Sequence, residues 1–267
     1  MNFPAADATL VISLAARPGA FGFAVHNAGY QALGLNYFYK PMTCDDIAAA
    51  LSGVRALGIR GCSLTMPYKT TALALMDEVS PRAHAAGAVN TVVNDKGRLI
   101  GHNTDVVGAV ELLKPHRNMP WLVLGAGGMA RAFLQAAREL QHHHITLSAR
   151  DAERGRALAA EFGATFLPWD QRTKMIGCAV LNATSIGMTP DEKLSPWEDA
   201  SLAQAALVFD AVPQPRETKF IATARAAKIL VITGRDLALA QAFAQFELYT
   251  GHPAPREVMT AAAAILP

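Results

Sequence analysis

The chain has 267 residues, of which 51% are hydrophobic and 17% charged, with a formal net charge of +2. This composition supplies a core for one large or two modest domains and excludes a disordered chain. The charge balance points to neither nucleic acid nor an anionic membrane as partner. No apolar run approaches the ~20 residues of a membrane helix.

Cys44, Cys62 and Cys178 are too scattered for a disulfide framework or a metal pair, so a reducing compartment suits the chain. Residues 1–19 show neither a secretory leader nor a lipid motif, and the expected location is the cytoplasm.

Residues 9–14 (TLVISL) read as a buried strand. RPGAFG (17–22) is a loop punctuated by proline and glycine, and helix signals run from Ala24 to Leu33, closed by Gly34. NYFYKP is a second strand. In TCDDIAAALSGVRALG, Thr43 is placed to cap a helix whose first turn holds Asp45 and Asp46. GIRGCSLT (58–65) is a further strand, followed by MPYK, a helix, and the strand AVNTVV with its hairpin turn at NDKG.

The polar, proline-bearing stretch 114–119 marks a domain boundary. Beyond it strands (WLVLG, ITLSAR, CAVLNAT, ALVFDAV, ILVIT) alternate with helices (GMARAFLQAAREL, DAERGRALAAEFG). The expected class is α/β, with a parallel sheet covered by helices on both faces. The closing helical segments DLALAQAFAQFELYTG and REVMTAAAAIL are expected to return to the first domain. The predicted domains are 1–112 with 237–267, and 113–236.

VLGAGGMA (123–130) sets Gly125, Gly127 and Ala130 in the pattern G-x-G-x-x-[GA], directly after a strand and opening a helix. That setting is what the dinucleotide fingerprint requires. Gly125 permits the turn, Gly127 lets backbone approach a pyrophosphate, and small Ala130 lets helix and strand lie close. The loop Gly125–Ala126–Gly127–Gly128–Met129–Ala130 then offers helix N–H groups to phosphate. The next strand ends at Ser148-Ala149-Arg150-Asp151, where an adenosine ribose would sit. Arg150, with Arg154 one turn on, favours the 2′-phosphate of NADP. Asp151 favours the free hydroxyl of NAD, or else caps the following helix.

Two polar clusters lie in apolar surroundings in the first half: SLTMPYK (63–69), and GAVNT (87–91) with GHNTD (101–105). Together with GAGGMARA, NATSIGM and Q-x(4)-FELYTG, they follow one another in the order of the shikimate dehydrogenase family, which the chain resembles from about residue 26 to 251. The resemblance implies a substrate-binding α/β domain, a Rossmann-like NADP domain and chemistry in the cleft between them. It implies Lys69 as the catalytic lysine with Asp105 as its partner. It implies Thr65, Asn90 and Gln241 as substrate contacts, and Thr184 and Gly234 on the cofactor side. The substrate would be a small cyclic polyol acid, and the protein a monomer or homodimer.

The chemistry agrees. Oxidising a secondary alcohol requires a proton acceptor as hydride leaves carbon, and a lysine in a partly dry site can serve, oriented by a carboxylate. The nicotinamide carries the hydride.

The chain departs from the family where two serines hold the substrate carboxylate, since those places hold Ala20 and Gly22. A family tyrosine is replaced by Pro213, and the second glycine of G-x-G by Asp236. This resembles the divergent shikimate dehydrogenase-like branch. Ser13 or Arg17 could reach a carboxylate instead. Alternatively the pocket has been reshaped, and serines at 20 and 22 could be restored without harm to the fold. Quinate or an amino analogue is then a possible substrate, and a regulator that binds NADP without turnover is the competing reading. The triplet His142–His143–His144 reads as a solvent-exposed loop, and no metal is expected.

Overall fold

The computed structural model describes residues 5–16, 19–65, 67–197 and 199–266. The chain divides into two compact units, 1–104 with 239–267, and 105–238.

The first unit begins with β1 (Thr9–Ala15), α1 (Ala20–Ala32), β2 (Tyr37–Thr43), α2 (Ile47–Ala56) and β3 (Gly61–Leu64). After a short 3₁₀ turn at Thr71–Leu75 come β4 (Glu78–Val79), α3 (Pro81–Ala86), β5 (Thr91–Asp95) and β6 (Arg98–His102). The sheet order is β2-β1-β3-β5-β6-β4, with β1 parallel to β2 and β3, and β5 antiparallel to β3 and β6. The β5–β6 hairpin closes through Lys96 and Gly97, both at positive φ.

Alternate residues of β1 face opposite cores, as a strand buried on both sides must. Ile12 and Leu14 pack with Leu51 and Val54 of α2, whereas Val11 packs with Val25 and Tyr30 of α1.

Two local expectations are corrected. The first helix starts at Ala20, inside the segment read as a loop. Its N-cap Gly19 makes no side-chain cap, and Phe21 packs against the core, so tertiary packing sets the start. The cap of α2 is Asp46, which accepts from the N–H groups of Ala48 and Ala49; Thr43 is instead paired with Ala15 in the sheet.

The second unit opens with α4 (Thr104–Leu113), whose Ala109 and Leu113 belong to the same core as Trp121 and Phe133. The compact units therefore divide at Thr104/Asp105, ahead of the polar stretch 114–119. Then come β7 (Trp121–Leu124), α5 (Gly128–Glu139), β8 (Ile145–Ala149), α6 (Ala152–Phe162), β9 (Thr165–Pro168), β10 (Ala179–Asn182), β11 (Leu207–Asp210), α7 (Lys219–Ala226) and β12 (Leu230–Ile232).

This sheet runs β12-β11-β10-β7-β8-β9, with every pair parallel. Trp121 and Val123 face one core with α5, Leu122 and Leu124 the other with α7, so helices cover both faces. The chain winds outward from β7 to β9, then restarts at β10 on the other side of β7. A ligand site in an open α/β sheet lies at such a reversal, beyond the carboxyl ends of the strands.

The chain ends with α8 (Gly234–Thr250) and α9 (Arg256–Ala264), and the division between units falls within α8. Phe246, Tyr249, Met259 and Ala263 share a core with Val11 and Val25, so the C-terminal helices do return to the first unit. His142 corrects the reading of the triplet. It is buried, lies over the Trp121 ring and bonds the carbonyl of Arg117, while His143 and His144 are exposed.

Candidate active site

In the first unit, main-chain bonds draw the two polar clusters together. The N–H of Leu64 donates to Asn90 O at 2.8 Å, and that of Val89 to Lys69 O at 2.8 Å. Lys69 is half-buried and Thr65 exposed at the end of β3. Asn90 is buried, and its Oδ1 accepts from Thr104 N at 2.7 Å, Thr91 Oγ1 at 2.9 Å and Thr104 Oγ1 at 3.2 Å. With that oxygen filled, Nδ2 is the group left for a ligand, so Asn90 serves as a donor. Asn103 Nδ2 bonds Ala88 O at 3.0 Å beside it. These bonds pin the start of α4, in whose first turn the buried carboxylate of Asp105 sits, where the helix dipole favours a negative charge.

Gln241 is half-buried on α8. One turn on, buried Gln245 donates from Nε2 to Thr91 Oγ1 at 3.1 Å. Thr91, Thr104 and Gln245 were not singled out by sequence reasoning. The doubled dipeptides Asn90-Thr91 and Asn103-Thr104 were the available signal. Arg17 lies outside the described residues.

In the second unit, Leu124 and Asn182 are register partners at the reversal of strand order. The chain beyond each carries the Gly125 loop and Thr184. Gly125 has φ +109°, which favours glycine, and a Cβ there would stand 3.0 Å from Thr184 Cγ2. Asn182 Oδ1 accepts both the N–H and the hydroxyl of Thr184, at 3.0 and 2.7 Å. Asn182 is held in turn by Asp210 at 2.9 Å. Asp210 is fully buried, and burial raises its pKa against the opposing pull of Thr218, Val212 N–H and Asn182.

The residues fit a dinucleotide. No protein atom lies within 4 Å of a Cβ built on Gly127 or Gly128, and Gly127 caps α5 with no side chain. A side chain at either position would enter open space, so the protein leaves room beside this helix start, as a phosphate needs. Ala130 is buried against the sheet core. Arg150 and Arg154 are exposed beyond β8, and Asp151 caps α6 by accepting from Arg154 N at 3.0 Å.

Two departures from the family pattern have structural reasons. Asp236 forms a reciprocal capping box with Thr233 at the start of α8, Thr233 N donating to Asp236 Oδ2 at 2.8 Å and Asp236 N to Thr233 Oγ1 at 3.3 Å. A Cβ on Gly22, in the first turn of α1, would stand 2.8 Å from the Tyr39 hydroxyl and 3.0 Å from its ring. Restoring serine at 22 is thus not neutral for the fold, contrary to expectation. At Gly234 a Cβ would meet Val212 O at 2.1 Å, so backbone packing alone demands glycine there.

Comparison with known proteins places this geometry. A family model for the shikimate dehydrogenase substrate binding domain matches residues 21–92, and one for the shikimate 5'-dehydrogenase C-terminal domain matches residues 234–264. The shikimate dehydrogenase-like protein of Haemophilus influenzae is 39% identical over 97% of this chain and 96% of its own length. The chain belongs to the shikimate dehydrogenase family. Among solved structures, shikimate 5-dehydrogenase from Thermus thermophilus in complex with NADP(H) and shikimate superposes with a TM-score of 0.85, at 33% identity, covering 96% of this chain and 98% of that one. Quinate dehydrogenase from Corynebacterium glutamicum in complex with NAD gives 0.84, at 29% identity, covering 97% and 99%. Among the described residues no cluster of histidine, cysteine or carboxylate suits a metal ion, and no helix is long and apolar enough to cross a membrane.

Proposed function

We propose that this chain is an NADP-dependent oxidoreductase acting on a CH–OH group, interconverting a ring hydroxyl and a ketone on a shikimate-like cyclic polyol acid. The observation that carries the reading is the locked array in which Asn90 is bonded to the start of α4 beside Asp105 and, through the neighbouring backbone, to the Lys69 segment. NADP, when bound, supplies the hydride acceptor or donor. Lys69 takes the hydroxyl proton as the carbon is oxidised and returns it in reduction. Asp105 orients Lys69, and Asn90 donates through Nδ2 to a substrate oxygen. Thr65 and Gln241 hold the ring.

Gly125, Ala126, Gly127, Gly128, Met129 and Ala130 cradle the pyrophosphate, while Arg150 and Arg154 grip the 2′-phosphate. Thr184, fixed by Asn182, borders the nicotinamide, and Gly234 lies on the cofactor side. All these residues come from one chain, which a monomer or a homodimer serves equally. Three buried free cysteines suit a reducing cytoplasm. The altered carboxylate end favours a shifted substrate preference and slow turnover of shikimate itself. Quinate is the second reading, supported by the likeness to quinate dehydrogenase.

Lys69→Ala should lower kcat by roughly 10²–10⁴-fold, the size of general acid–base catalysis. A folded Lys69→Ala protein, checked by circular dichroism, with near-wild-type turnover on a panel of ring hydroxy acids would overturn the assignment.

A further inference from the structure

Three hydroxyls line up across β1, β3 and β5 at the carboxyl ends of β1 and β3. Ser13 and Ser63 are register partners on adjacent parallel strands, and Ser63 pairs across the next strand with Thr91. Paired residues share a face of the sheet, so Ser13, Ser63 and Thr91 form a row. Neighbouring strands lie about 4.8 Å apart, which puts Ser63 one strand and Ser13 two strands from Thr91. The row therefore ends on the hydroxyl that bonds Asn90 and Gln245.

The Tyr39 phenol joins this row from β2. Its oxygen is 2.7 Å from Ser63 Oγ, and its ring stacks on His26 with centroids 4.5 Å apart. Burial raises the phenol's pKa, against the smaller opposing effects of Ser63 and Ser13, so it stays a neutral donor. Serines 13 and 63 keep a sliver of exposure, 9% and 8%.

We propose that Ser13 and Ser63 anchor the anionic end of the substrate, with Tyr39 as the positioning residue of Ser63 and Gly22 as the gap that admits its phenol. This rests on the reading given under Proposed function. The phenol O–H donates to a serine oxygen, which turns the serine O–H toward a carboxylate. Gly22 and Tyr39 then form a coupled pair, because the phenol fills the space a side chain at 22 would need. The lost family serines are replaced from the sheet below rather than from the helix.

The test compares shikimate with its neutral methyl ester, by turnover with NADP and by calorimetric binding. Ser13→Ala, Ser63→Ala and Tyr39→Phe should each weaken binding of the acid about tenfold or more, the size of a lost hydrogen bond to a charged group, and leave the ester within twofold. Tyr39→Phe keeps the ring on His26, so a fold defect would show in both ligands alike. Gly22→Ala should destabilise the protein in a manner partly relieved by Tyr39→Phe, a non-additive cycle. Unchanged acid affinity in the serine variants, or equal losses for acid and ester, would overturn the anchor. Wild-type protein that binds the acid through these serines but turns over neither ligand nor quinate would uphold the anchor and overturn the dehydrogenase reading.

Discussion

Beyond β7 and β10 the second unit presents clear space around Gly127 at a helix start, whereas at the end of β3 and the start of β5 the first unit presents oxygen and nitrogen atoms already held by one another. A phosphate asks for generic donors and room, which backbone supplies. A polyhydroxylated ring asks for donors at fixed angles, which only side chains with filled second valences supply. Gly127 can thus take a side chain without loss of fold, and Asn90 cannot lose its own.

The largest expected effect on stability tests the first unit. Asn90→Leu leaves the N–H of Thr104 and two threonine hydroxyls without their buried acceptor. The cost should be about 4 kcal/mol, read as a shift in the urea midpoint at unchanged m-value. A shift below about 1 kcal/mol would show that the network is replaceable by water.

His26 gives a pH test in the same unit. It is fully buried among Tyr30, Tyr39, Phe246 and Tyr249, and burial lowers its pKa to about 4 from 6.5, despite an upward pull from Gln245. Between those values the unfolded chain holds a proton that the folded chain does not. Stability is therefore full above pH 6.5 and falls as pH drops toward 4, by about 3 kcal/mol. His26→Phe should flatten that part of the profile in denaturant titrations from pH 7 to 4, and an unchanged slope would assign the loss elsewhere.

Smaller effects belong to the second unit. Arg150→Ala should weaken NADP binding about tenfold or more and leave NAD nearly unchanged by calorimetry. Equal losses would show that the 2′-phosphate is held by another residue. Gly127→Ala should change stability by less than about 0.5 kcal/mol, because its Cβ meets no protein atom, while NADP affinity falls. A large stability loss there would erase the contrast between the two sites.

The same contrast decides what could be read from the sequence. The glycine loop, its strand and its helix occupy consecutive residues, so the strand–loop–helix unit and the parallel sheet were legible. The capping of α2 was misplaced because strand pairing took Thr43 and left Asp46 to serve. Buried His142 was hidden because nothing local announces its ring contact with Trp121. Lys69, Asn90 and Asp105 stood in motifs that the family resemblance picked out. Their supports did not, since Tyr39 meets Ser63 across 24 residues and Gln245 meets Thr91 across 154. Such pairs carry no short-range periodicity, and their chemistry emerges only when strands and helices have been brought together.

That last separation has a consequence for how the molecule is made. Thr91 waits for Gln245, Val11 and Val25 wait for Phe246 and Met259, and Arg60 donates to the main-chain carbonyl of Tyr249 at 2.8 Å. The first unit is therefore completed by residues that follow the whole of the second in sequence, while the second is one unbroken stretch with its own core. Domains fold as units during synthesis, usually from the N-terminus onward. Here the second unit can close on its own contiguous stretch, whereas the first cannot complete its core until the segment that follows the second in sequence has been made.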